Sequence, residues 1–107
     1  MDAITEVGLY ERYELLDLSC DLGVKTFEAR EIATGRPVKV HLFEHRSAPL
    51  QAALLKAIDQ LSDEQRQHII ERGKHERTPY VVTDRLTGYA GLSEWVLAAA
   101  HSAKPLL

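Results

Sequence analysis

The sequence predicts an α+β domain: a five-stranded antiparallel sheet with one main helix at about residues 48–61 packed on it, and a C-terminal helix at about 92–103. Three observations lead there. Residues 36–45, RPVKVHLFEH, alternate Val38, Val40 and Leu42 against Lys39, His41 and Phe43, which is the period of a strand. Leu50, Leu54, Ile58 and Leu61 recur at helical spacing. His68–Glu71 and Tyr80–Thr83 are β-branched runs bounded by Gly73 and Pro79, and they close the sheet as a hairpin.

Taken in order, Tyr10–Leu18 reads as the first strand, running into a polar turn at Ser19-Cys20-Asp21 with a bend at Gly23. Lys25–Glu31 is the second, with Phe27 and Ala29 on one face and Thr26, Glu28 and Arg30 on the other. Ala33–Arg36 is a turn whose Gly35 suits a positive φ. The third strand is the alternating stretch at 36–45, so the meander has a core face and a more polar face. Ser47 and Pro49 supply the N-cap and first turn of the main helix, and Ala53 and Ala57 widen its apolar stripe. Ser62 with Gln65 resembles a capping box and predicts a short helical turn over 63–67. A turn spanning Gly73–Thr78 separates the last two strands, and Leu86-Thr87-Gly88 is a loop. Leu92, Trp95, Val96, Ala99 and Ala103 mark the final helix, starting near Ser93. The whole chain, 1–107, reads as one domain, with 1–9 as an N-terminal extension and 98–107 as a C-terminal tail.

Composition narrows the function classes. Hydrophobic residues make up 45% and charged residues 27%, and the formal charge of −3 is dispersed. The longest basic cluster, Arg66–Arg77, is interrupted by Glu71 and Glu76 and carries no interleaved aromatics, so nucleic acid is not an expected partner. Cys20 is the only cysteine, which excludes an intrachain disulfide and a thiolate metal centre and fits a reducing compartment. No apolar run reaches the roughly 20 residues of a membrane span, and Met1–Gly8 is acidic, unlike a signal peptide. A cytoplasmic location and no membrane partner are the expectation.

The stretches YELLDL (13–18), TFEARE (26–31), ATGRPVKV (33–40), the helix at Leu50–Leu61 and TPYVVTDRLTG (78–88) together resemble the N-terminal lobe of a eukaryotic-type protein kinase, of the kind found in bacterial serine/threonine kinases. The resemblance spans roughly residues 10–97. It implies three meander strands, the helix usually called C, and a fifth strand leading to a hinge. It also implies a nucleotide site, and there the motifs are degraded, as in a pseudokinase. The family's glycine-rich loop lets backbone amides approach phosphates. Here Ser19, Asp21 and Val24 stand on its three glycine positions, and Thr26 stands where a valine covers adenine. The V-A-I-K motif becomes Val38-Lys39-Val40-His41. Lys39 replaces the small residue over adenine, and His41, an imidazole, replaces the phosphate-pairing lysine. Thr83, closing the fifth strand, is the last of these positions. Helix C offers Leu54, Ile58 or Gln60 where the family has a glutamate; Asp59 is its only acid, and it is placed facing solvent rather than His41. The family's catalytic loop, magnesium-binding aspartate and C-terminal lobe would lie past Leu107.

No cofactor, metal or catalytic set is expected. His41 and His45 are four apart, but a strand does not bring that spacing together, and no third ligand suggests itself. Cys20 reads as an inert turn thiol. A lone lobe exposes its cleft side, so the expectation is either a former active-site surface made soluble by Thr26, Glu28, Lys39 and His41, or a docking surface using Lys39, His41, Tyr89 and Trp95. The function expected is a non-catalytic interaction or regulatory module that binds a protein partner, another domain or a second copy. The alternative is half of a split nucleotide-binding unit completed by another chain.

Overall fold

The computed structural model describes residues 9–21, 23–45 and 48–103. The elements are α1 (Leu9–Arg12), β1 (Tyr13–Asp21), β2 (Val24–Glu31), β3 (Pro37–Leu42), α2 (Pro49–Asp59), α3 (Asp63–Arg66), β4 (Ile69–His75), β5 (Thr78–Thr83) and α4 (Leu92–Ala103). The strands form one antiparallel sheet in the order β1-β2-β3-β5-β4, the α+β layout expected.

Both faces of this sheet are covered. Val38, Val40 and Leu42 of β3 join Ala29, Tyr80 and Val82 on one face, beneath Leu9 of α1 and Tyr13. On the other, Val24, Phe43 and Val81 meet α2 through Leu54 and Ile58, and α4 through Leu92, Trp95, Val96 and Ala99. Tyr80, Val81 and Val82 are therefore all buried, because successive strand residues serve opposite cores. The more polar second face expected from Lys39 and His41 is instead the floor of the larger helical core.

Several boundaries differ from expectation for identifiable reasons. Tyr10 lies in α1, whose Leu9 is buried, so Leu9 belongs to the domain rather than to an extension. Ser19-Cys20-Asp21 is not a turn: Ser19 pairs with Thr26, Cys20 with Lys25 and Asp21 with Val24, so β1 runs through Asp21, and Gly23, just before β2, has φ of 80°. Gly35 takes φ of 77° as its turn requires. Ser47 lies outside the described residues; Ala48 occupies the N-cap of α2 without a side-chain bond, and Pro49 begins the helix. Leu50 is 57% exposed, and Gln51 takes its place in the buried stripe. The Gln51 amide oxygen accepts the His45 backbone N–H at 3.0 Å, and its amide nitrogen lies 3.0 Å from where a Cβ on Gly23 would stand. Ser62 caps α3 by accepting the Gln65 N–H at 3.3 Å, as its spacing predicts.

The broad turn expected over Gly73–Thr78 is a tight one. His75 pairs with Thr78, and the reversal is made by Glu76 and Arg77 at φ of 51° and 74°. Gly73 serves packing: a Cβ there would meet the Tyr80 hydroxyl at 3.1 Å. Finally, Ala99 is buried and α4 runs to Ala103, so residues 98–103 of the expected tail belong to the helix, and 104–107 lie outside the described residues.

Candidate functional site

The positions that the kinase resemblance would assign to a nucleotide converge on the α4-covered face. In the β2–β3–β5 register Thr26 stands opposite His41, Glu28 opposite Lys39, and Lys39 opposite Thr83. Strand periodicity points Thr26, Lys39, His41 and Thr83 to the same side. His41 is fully buried, with Nδ1 2.9 Å from the Thr26 hydroxyl and Nε2 2.9 Å from the Thr83 hydroxyl. Thr83 donates its own proton to the Asp84 carbonyl at 2.9 Å, so its oxygen accepts from His41. Nε2 then carries the proton donated to Thr83, and Nδ1 shares the second bond with the Thr26 hydroxyl. Burying a polar ring without partners would cost a few kcal/mol, and the two threonines remove that cost.

His41 is thus a satisfied core residue rather than part of a solvated or docking surface. Lys39 is also largely covered, its side chain 15% exposed, and its ammonium reaches Glu28 at 3.6 Å across the strand pair. Val24, on the last glycine position, is buried among Phe43, Leu86 and Trp95. Ser19 is exposed on β1 and donates only a long bond, 3.4 Å, to the Thr26 carbonyl. Asp21 ends β1, paired with Val24. What remains open is a cavity of about 220 Å³ lined by Ser19, Thr26, Lys39, Gly91, Ser93 and Glu94, among others. Small-molecule sites usually need about 300–1,000 Å³.

The docking anchors divide in the same way. Trp95, on the inward side of α4, is fully buried and edge-on to the His68 ring at 5.7 Å, so it is a core residue and not a surface anchor. Tyr89 is exposed on the loop before α4. Asp59 faces outward and pairs with Arg72 at 3.3 Å, away from His41. Among the described residues, no three His, Cys, Asp or Glu side chains gather as a metal site, and no helix is long and apolar enough to cross a membrane.

A second polar cluster was not visible in the sequence. On the α1 face, Glu71 of β4 accepts from Arg12, from Tyr13 at 2.9 Å and from Tyr80 at 2.5 Å, and Arg12 also donates to Tyr80 at 3.1 Å. Burial alone would raise the Glu71 pKa, but bonds from Arg12, Tyr80 and Tyr13 outweigh it and hold the carboxyl below its ordinary value. Tyr13 and Tyr80 are both raised, by burial first and then by the bond to Glu71. The Glu71 bond likewise raises Arg12. These residues are 59 and 68 positions apart from Arg12, and no local motif links them.

Comparison of the chain with protein-family models, with curated proteins and with solved structures gives no match.

Proposed function

We propose that this domain is a non-catalytic interaction module resembling a kinase N-lobe, whose nucleotide-facing surface is closed by its own last helix. One observation carries the reading: His41, on the position of the phosphate-pairing lysine, is fully buried and bonded to Thr26 and Thr83. A side chain committed to its neighbours in this way offers nothing to a phosphate, and the start of α4 supports the same reading, since Ser93 and Glu94 wall the small cavity beside Thr26 and Lys39. The five-stranded antiparallel layer with α2 packed on it supports the kinase-lobe part of the reading. With nucleotide chemistry removed, the exposed strand edges and Tyr89 are the surfaces left for protein contact.

Thermal unfolding with and without ATP and magnesium tests this. A ligand at 100 times its dissociation constant would add about 2.7 kcal/mol, several degrees for a domain of this size. We expect no shift at millimolar ATP, and a saturable rise in melting temperature would overturn the proposal.

A further inference from the structure

We infer that the outer edge of β1 accepts an added strand from a partner protein, an extended segment in which apolar residues alternate with lysine or arginine. This rests on reading the domain as an interaction module, but not on the closure of its nucleotide face. In the order β1-β2-β3-β5-β4 the sheet has two edges, and they differ. On β1, Leu16 and Leu18 are 51% and 53% exposed, and Glu14 and Asp17 are exposed beside them. A bulge falls between Leu15 and Leu18, after which β1 pairs regularly again with β2 through Cys20. On β4, by contrast, Arg72 and Lys74 are the exposed side chains, while Glu71 is withdrawn into its bonds with Arg12 and Tyr80. Lysine on an edge discourages an incoming strand, whereas exposed leucines invite one.

Charge selects the occupant. Apart from Arg30, which stands opposite Glu14 in the β1–β2 register, the nearby cations are engaged elsewhere, Lys25 with Glu44 at 3.1 Å and Arg12 with Glu71. An incoming segment with basic side chains would meet Glu14 and Asp17 and cover Leu16 and Leu18, its backbone completing the ladder. A second copy fits less well. Two β1 strands paired about a two-fold axis would oppose acids with acids, and Arg72 on β4 is already held by Asp59 at 3.3 Å.

The test is a titration of isotope-labelled protein with a blocked Val-Lys-Val-Lys-Val-Lys-Val peptide, followed by amide chemical shifts and hydrogen exchange. Shifts and new protection should concentrate at residues 14–20, and the Glu-for-Lys peptide should bind at least about tenfold more weakly. The Glu14→Lys/Asp17→Lys double variant should lose about tenfold for the lysine peptide and gain for the glutamate one. If that variant does not fold, raising salt from about 50 to about 500 mM on the unaltered protein should weaken binding several-fold. Perturbation centred on β4, or on the separate cavity that Glu11, Glu44 and Glu76 line beside Tyr10 and His75, would overturn the inference. So would equal binding of both peptides, no binding at millimolar peptide, or dimerisation of the free chain through β1. None of these outcomes bears on the ATP measurement, so the two readings can fail separately.

Discussion

The two faces of the sheet each hold a polar network, and they satisfy it differently. On the α4 face Thr26, His41 and Thr83 form a hydrogen-bonded chain without a carboxylate or ammonium in it, and all three are buried. On the α1 face the network is ionic, and Arg12 and Glu71 keep about a third and a quarter of their side-chain surfaces in contact with water. The difference follows from desolvation. A neutral imidazole with two hydroxyl partners costs little to bury, whereas an ion pair moved fully inside would lose more hydration than its attraction returns. Charge on this face is confined to Lys39 and Glu28, 3.6 Å apart, and the fully buried position 41 is the one on which the kinase resemblance would require a lysine.

The strongest way to break this contrast is His41→Lys. The kinase resemblance makes that change look like a step toward nucleotide binding, but the structure holds position 41 fully buried between Thr26 and Thr83. An ammonium there would be placed at a fully buried position and displace both threonine bonds. We expect a loss of about 3–5 kcal/mol in urea denaturation, enough to leave much of the chain unfolded. Retention of stability with new ATP affinity would contradict both this contrast and the proposed function.

Glu71→Gln probes the ionic face. It keeps the shape but removes the charge that Arg12, Tyr13 and Tyr80 share, and should cost about 1.5–3 kcal/mol. The same residue gives the pH dependence. Its folded pKa lies below the reference of 4.5, so its stabilisation is fully present above that value. It is lost as pH falls through the folded pKa, because the unfolded chain takes up the proton first. The denaturation midpoint of the natural protein should fall as pH drops from about 5.5 to about 3.5, and the Gln variant should show a shallower decline. Identical slopes would remove Glu71 from the account.

The smallest effect calibrates both. Replacing Glu76-Arg77 with Asn-Gly relieves two left-handed non-glycine residues without entering either network. A gain of about 1 kcal/mol is expected, with the ATP result unchanged. A loss would mean that the hairpin tip makes contacts more valuable than its backbone strain.

Much of the architecture was legible locally. Alternation in Val38–Phe43, the spacing of Leu54, Ile58 and Leu61, the Ser62 cap and the glycine turn at Gly35 each reflect a preference that a few neighbouring residues settle among themselves. Leu50 and Gln51 were misassigned because helical spacing allows either one to face inward, and only the position of the β1–β2 reversal chooses between them. Gly73 was misread for a similar reason, since a glycine that makes room for Tyr80 looks, in one dimension, like a glycine that makes a turn.

The sequence by itself determined the five strands, the main helix and the final helix in their order along the chain, which depend on residue type and short spacing. Only the tertiary structure decided that α4 folds back over the face carrying His41, which turns Trp95 from a surface anchor into core and His41 from a solvated ring into a buried one. It also decided that Arg12, Tyr13, Glu71 and Tyr80 meet. Burial and long-range hydrogen bonding arise from which elements pack together, and no window of neighbouring residues contains that information.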